Sequence, residues 1–286
     1  AYPYAGFAGN VAKALSSFPQ VQGNNTVNAY GTPIGFSTYH SLQVILNKEF
    51  SNGLTMYSNY VWSKNLTNVE SSMVGSNPGA MDIYNLKIEK VRANDDLPHM
   101  FKGFVSYDLP FGNGRKFAMP KVANAVFGGW TVSGIVNYFN GTPLSFTGSS
   151  PIATAWNGGA NRLNIASGEL GVSGFDKKKF ELSTQNSANN TYLNKTLYAD
   201  PLALTLGTSS KRPGIRGFGT INEDFGLQKN FRFSERTRFQ IRSEFLNAFN
   251  RSTLGGITTG ITSPAFGQIT SVSGNRSIQF GMRLDF

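Results

Sequence analysis

The chain has 286 residues, a net charge of +10 and a pI near 9.7, and it combines 32 Gly, 23 Phe and 11 Tyr with only 15% charged residues. That mix of turn formers and aromatics with little helix-forming material reads as an all-β protein. The absence of Cys excludes disulfide staples, thiolate metal centres and a cysteine nucleophile, and it suits a protein that passes an oxidising periplasm.

Taken in chain order, residues 1–38 show no alternating run. Ala1-Tyr2-Pro3-Tyr4 has neither the basic nor the apolar region of a secretion leader, so the leader is removed or the N-terminus lies elsewhere. Period-two alternation bounded by turn signals then predicts seven strands. The first, about 39–50, sets Leu42, Val44 and Leu46 against Ser41, Gln43, Asn47 and Glu49. Ser51-Asn52-Gly53 has hairpin-turn chemistry and returns the chain into a second strand at about 54–64, with Leu54, Met56, Tyr60 and Trp62 on one face. A polar connection over 65–98 leads to a third strand, about 99–109, carrying Phe101, Val105, Tyr107 and Leu109 on one side. Pro110-Phe111-Gly112-Asn113-Gly114 ends it.

The fourth strand starts near Trp130 and shows Trp130, Val132, Val136 and Tyr138 on one face. Residues 148–219, rich in Ser, Asn, Gly and Thr, are far longer than an ordinary loop and read as a functional surface loop or as structure without a periodic signature. The fifth strand, 221–233, places Phe225, Leu227, Phe231 and Phe233 together, with Lys229 as a charge among them that would snorkel to an interface. The sixth, 238–249, sets Phe239, Ile241, Phe245 and Phe249 against Arg238, Gln240, Arg242 and Glu244. After a Gly/Thr/Ser-rich loop over 250–274, the last strand puts Ile278, Phe280, Met282, Leu284 and Phe286 opposite Gln279, Gly281, Arg283 and Asp285.

A soluble β-sandwich would also alternate, and a soluble basic sandwich that binds a partner is the competing reading. A membrane barrel fits more of the pattern. A transmembrane strand needs only ~9–11 residues, half of them apolar, so a mean hydropathy of −0.23 is compatible with one. The longest apolar runs, such as Val44-Ile45-Leu46, fall far short of the ~20 residues of a membrane helix. Short turns at 51–53 and 234–236 alternate with long connections at 65–98, 148–219 and 250–274, as periplasmic turns alternate with outer loops, and 110–129 is the exception. Trp62, Tyr107, Trp130 and Tyr138 gather toward strand ends, where interface aromatics sit. Arg238, Gln240, Arg242, Glu244, Gln279, Arg283 and Asp285 would face a wet lumen.

With Phe286 placed in the periplasm, the first strand also runs downward and residues 1–38 form an extracellular segment. Seven strands cannot close as an even-numbered barrel with both termini in the periplasm, so the chain reads as part of a larger one, an antiparallel transmembrane segment in the bacterial outer membrane.

Five stretches carry a family resemblance: Tyr39-His40-Ser41-Leu42-Gln43; Asp108-Leu109-Pro110-Phe111-Gly112-Asn113-Gly114-Arg115; Gly129-Trp130-Thr131-Val132-Ser133-Gly134; Glu244-Phe245-Leu246-Asn247-Ala248-Phe249-Asn250; and Phe266-Gly267-Gln268-Ile269-Thr270. In this order they resemble the C-terminal barrel of TonB-dependent receptors of the Oar-like group, which carry an N-terminal carboxypeptidase-regulatory-like domain. The resemblance implies a 22-stranded barrel with a plug in its lumen, drawn by the TonB complex through N-terminal parts not visible in this sequence. It also implies that the last strand, Ile278 to Phe286, is the signal handed to the barrel-assembly machinery. The expected partners are the bilayer with its lipopolysaccharide and the remaining barrel and plug.

No chemistry beyond this is legible. His40 and His99 lack a carboxylate pair at ligand spacing, the pair Asp95-Asp96 reads as solvated loop acids more readily than as a cation site, and phosphate-loop, serine-elbow and zinc-helix motifs are missing. The expectation is therefore a protein without catalytic residues, cofactor or bound metal. Its basic residues are dispersed, and the cluster Lys177-Lys178-Lys179 reads as a solvated loop rather than a nucleic-acid site. Two functions remain: a receptor wall whose outer loops bind or admit an oligosaccharide or peptide, with Trp156, Asn157 and Tyr192 as contact candidates, or a structural, adhesive surface protein without transport.

Overall fold

A computed structural model describes residues 3–9, 14, 19–21, 35–69, 80–82, 85–149, 161–181, 188–203, 205–234 and 236–286. Among these, the dominant feature is an eight-stranded antiparallel sheet. Its strands are β1 (Ser37–Ser51), β2 (Leu54–Thr67), β3 (Val91–Arg92), β4 (His99–Asp108) and β5 (Trp130–Phe139), followed after two short strands by β8 (Thr220–Arg232), β9 (Arg238–Leu246) and, after two more, β12 (Ser277–Asp285). The order β1-β2-β4-β5-β8-β9-β12 is an up-and-down meander in which each long strand pairs with its neighbour in sequence. β3 adds two residues beside the far end of β2. The sheet does not close on itself: β1 and β12 are its two edges.

The register decides which residues share a face, because directly opposed residues in an antiparallel pair point the same way. Leu42 opposes Trp62, Trp62 opposes His99, Tyr60 opposes Phe101, and Phe101 opposes Tyr138. Further across, Val132 opposes Leu227, Phe225 opposes Phe245, Phe245 opposes Ile278 and Ile241 opposes Met282. All seven apolar sets thus fall on one continuous face. The predicted strands match except at their ends. β2 runs on to Thr67, and β9 stops at Leu246, where Asn247 adopts a left-handed φ of 49° and turns the chain. Phe249 nevertheless stays on the apolar side, edge-on to Phe225 at 5.7 Å.

The connections separate cleanly. At one end, Asn52 and Gly53 both take positive φ (52° and 82°), the conformation of a type I′ hairpin turn. A Cβ on Gly53 would stand 2.8 Å from the Asp108 carbonyl oxygen. At the same end the Phe233 and Ser234 N–H groups both donate to the Thr237 carbonyl, closing a tight return. The connection from β4 to β5, too long for a turn, holds a helix there, α1 (Lys121–Phe127). The described parts of the long connections 68–98, 140–219 and 247–276 gather at the opposite end. They carry the short pairs β6 (Asn164–Ile165) with β7 (Tyr198–Ala199) and β10 (Thr253–Gly255) with β11 (Ser271–Ser273).

Candidate functional site

The wall itself has two chemically opposed faces. Arg238, Gln240, Arg242 and Glu244 on β9 oppose Asp285, Arg283, Gly281 and Gln279 on β12, so these polar residues stand together on the face opposite the apolar one. The ion pairs here, Arg242 to Glu244 at 3.6 Å and Arg283 to Asp285 at 2.7 Å, are largely exposed and add little stability. One part of the polar face is apolar: Tyr57, Phe104 and Ile135 lie side by side through the pairs Tyr57↔Phe104 and Phe104↔Ile135, and each is exposed by about 40% or more. On the opposite face lie Ile278, Phe280, Met282 and Leu284, with Phe286 just past the end of β12 and almost wholly exposed. Tyr107 and Trp130 stand at the short-turn end, Trp62 and Tyr138 at the long-loop end.

Two buried charges intrude on the apolar face, and each finds its partners at an end of the wall, whereas Lys48 and Lys64 on the same face are exposed. Lys229 opposes Trp130 and donates from Nζ to the carbonyls of Val126 (2.7 Å) and Gly128 (2.9 Å), where the last turn of α1 leaves acceptors unpaired. Its ammonium also lies over the rings of Trp130 and Phe231, at 4.8 and 4.9 Å from their centroids. Glu223 opposes Val136 and is buried, accepting from Arg251 Nε at 2.7 Å and from the Tyr138 hydroxyl at 3.1 Å. The carboxylate in turn holds the Arg251 guanidinium even more firmly protonated than usual.

Above the long-loop end, the connections are packed rather than loose. Phe146, Leu163, Leu193, Tyr198 and Phe266 form a buried core drawn from the 140–219 and 247–276 connections, flanked by Leu144, Ile165, Leu170, Leu197, Ile215, Ile257 and Ile261. Backbone bonds knit the segments together: Phe146 N to Lys211 O, Tyr192 N to Gly267 O, and Ile269 N to Asn190 O. A second aromatic group joins Tyr192, Phe175 and Phe218, the last two rings lying 5.7 and 4.7 Å from Tyr192. Tyr192 is half-buried and its hydroxyl donates to the Arg216 carbonyl, so it serves packing as well as any contact with solvent. Burial raises the phenol pKa of both Tyr192 and Tyr198. The expected contacts Trp156 and Asn157 lie outside the described residues.

Three arginines of the 161–219 connection fasten this layer to the segment preceding β4. Arg162 approaches Glu89 at 2.8 Å, an ion pair at poor hydrogen-bond angle, with both side chains buried. Arg212, almost wholly buried, donates from Nε to the Ser145 hydroxyl, from Nη1 to the Arg92 carbonyl and from Nη2 to Asn94. Arg216 pairs with the Asp96 carboxylate and also donates to the carbonyls of Asp96 and Gly141. Asp96 additionally accepts from the Asn65 backbone N–H at 2.6 Å. This corrects the reading of Asp95-Asp96: only Asp95 is exposed, while Asp96 is 2% exposed and committed to an arginine, neither a solvated loop acid nor a vacant cation ligand. Sequence patterns gave no hint of it, because partners about 120 positions apart have no spacing to read.

Of the two histidines, His99 Nδ1 lies 2.8 Å from the Tyr60 hydroxyl and His40 faces Lys64 across the β1–β2 pair. A family model described as an outer membrane beta barrel domain matches residues 4–279. The chain belongs to that family. As an outer membrane beta barrel domain it resides in the bacterial outer membrane, and its apolar face is the one that can meet lipid. No curated protein matches the chain. The placement of Lys229 and Glu223 follows from the same solvent. A charge on the lipid face of such a barrel costs about 2–4 kcal/mol at the bilayer midplane and little near the interfaces, so both belong at strand ends with their partners. At the long-loop rim of this face a cleft of about 610 Å³ is lined by His40, Leu42, Trp62, Lys64, Arg92 and Arg216, among others.

Proposed function

We propose that this barrel domain is part of the wall of a TonB-dependent receptor, with the long-loop end outside the cell, the short-turn end in the periplasm and a plug seated against the polar face. The observation that carries the reading is the row Tyr57, Phe104 and Ile135. A face that only lines water has no use for a contiguous exposed apolar patch, whereas a domain filling the lumen would cover it. The packed loop layer supports the receptor half of the proposal. A binding surface that is already ordered loses less entropy on engaging its ligand, here an oligosaccharide or a peptide. The cations of the rim cleft, Lys64 and Arg92, suit the phosphates of lipopolysaccharide.

The test is a photo-crosslinking amino acid placed at Phe104 of the full-length protein in cells. The reading expects a crosslink to the protein's own N-terminal region. It also expects growth on one class of soluble oligosaccharide or peptide to require both this gene and a functional TonB complex. A surface adhesin would give no intramolecular crosslink and no growth phenotype, while cell attachment would depend on the loops.

A further inference from the structure

The connection from β4 to β5 is out of proportion for its end of the sheet. Residues 109–129 contain Arg115, Lys116 and Lys121 but no acidic residue. Seven-residue α1 is too short to be stable by itself in water, so its tethers hold it. Lys229 and the Trp130 indole, which donates to the Val126 carbonyl at 2.8 Å, grip its C-terminal turn. The Asn124 side chain accepts from Asn113 N–H at 3.0 Å. Both grips on the last turn come from the apolar face of the wall, so the helix lies on the lipid side of the sheet rather than beneath the polar face.

The surface it presents there is apolar and bare. Val122 is 81% exposed, and Val126, Phe127 and Phe117 are each about half exposed or more. This arc continues the lipid-facing band past Tyr107 and Trp130 and is covered by no other described residue. Lys116 and Lys121 are exposed beside it with no carboxylate partner among the described residues, whereas Arg115 is paired with Asp108 at 2.9 Å. A short amphipathic helix with aromatic and aliphatic residues on one face and lysines at its margin is the chemistry that beds into a headgroup layer.

We propose that α1 and Phe117 form an interfacial anchor that binds the phospholipid leaflet at the short-turn end. Val122, Val126 and Phe127 enter the acyl boundary, and Lys116 and Lys121 meet the phosphates of anionic phospholipid. The choice of phospholipid over lipopolysaccharide rests on the orientation proposed above, with the short-turn end in the periplasm. The anchor would fix the height of the wall in the bilayer at a place where a tight turn would offer no grip.

This chain has no Cys, so with every Cys outside it replaced by Ser a single nitroxide label can be placed at each of three sites in the full protein. The sites are Val122→Cys, Val105→Cys on the lipid face of β4, and Leu202→Cys on the loop layer. In vesicles of phosphatidylethanolamine and phosphatidylglycerol, the ratio of oxygen to nickel-chelate accessibility at 122 should lie several-fold above that at 202 and approach that at 105. With Trp62, Trp156 and every Trp outside this chain replaced by Phe, Trp130 fluorescence should be quenched more by brominated phosphatidylglycerol than by brominated phosphatidylethanolamine, and K116Q/K121Q should remove that preference. A label at 122 as open to nickel as the one at 202 would overturn the proposal. So would a label shielded from both reagents, which marks a protein partner, or a lipid preference unchanged in K116Q/K121Q. Immersion in a symmetric phospholipid bilayer does not depend on the plug or on which end faces outward, so its failure is separable from failure of the receptor reading.

Discussion

Replacing Phe146 by Ala should open the loop layer while leaving the wall intact. Phe146 is 1% exposed, and its ring centroid lies 5.0 Å from that of Tyr198 and 6.4 Å from that of Phe266. An aromatic side chain buries about 150–250 Å², worth about 4–6 kcal/mol as an upper bound at ~25 cal/mol per Å². Measured Phe-to-Ala losses in cores run to about 3–5 kcal/mol, and lost ring pairing contributes to the same total. A loss of about 4 kcal/mol multiplies the opening constant of the layer by roughly 10³, since each 1.4 kcal/mol is tenfold. Hydrogen exchange on the membrane-embedded protein reads this directly. The amides of Phe146, Tyr192 and Ile269, all bonded between segments, should lose roughly 10³-fold protection, and those of β4 and β5 should not change. A change below tenfold would show that Phe146 does not hold the layer together. Equal loss in β4 would show that layer and wall are one cooperative unit, and either result refutes the reasoning.

Asp96→Ala leaves the partly exposed Arg216 without its carboxylate, and the lower end of the ~3–5 kcal/mol range for broken buried pairs applies. Tryptic cleavage after Lys211, at the bond leading into Arg212, which is buried in the intact layer, should accelerate by roughly 10². Lys229→Met removes the donor from two helix-end carbonyls. Exchange at Gly128, whose N–H closes the helix on Asn124, should quicken by about tenfold or more, because a charged hydrogen bond is worth about 1.5–3 kcal/mol. For the tyrosines the sign follows from burial. Tyr192 and Tyr198 have folded pKa values above the ordinary 10.0, so the folded layer holds these protons more tightly than the unfolded one. Their contribution to stability is complete below about pH 10 and drains away as pH rises through the folded values. Layer protection should be flat from neutral pH up to that point and fall beyond it, and a fall beginning nearer neutrality would contradict the assignment. Gly53→Val, with a Cβ driven toward the Asp108 carbonyl from a positive φ, should lower the yield of folded wall, read as heat-modifiable mobility on a gel.

The wall was legible because its solvent writes a period of two into the sequence. Leu42-Val44-Leu46, Phe239-Ile241-Phe245 and Ile278-Phe280-Met282 each announce a lipid face, and Asn52-Gly53 marks a hairpin that the positive φ values realise. The loop layer was not legible. Phe146, Leu163, Leu193 and Phe266 are spread over two connections and 120 positions with no common period, and only the tertiary pairing of their segments makes them a core. Lys229 shows the limit from another side. Its position among outward-facing residues could be read as a charge needing an interface, but its true partners are carbonyls of a helix in the connection that the alternating pattern marked only as too long. The same holds for Asp96, whose partner comes from a different loop.

The arginine clips have a consequence for the order of assembly. Arg212 reaches the Arg92 carbonyl and Arg216 reaches Asp96 across 120 positions of chain, and between those positions lie β4 and β5, two adjacent strands of the wall. A one-residue slip between these strands would turn one of them inside out and carry the base of the 140–219 connection away from 92–96. The clips can therefore close only after the strands beneath them have found their register. A wall out of register at β4–β5 would hold the two ends of each clip apart.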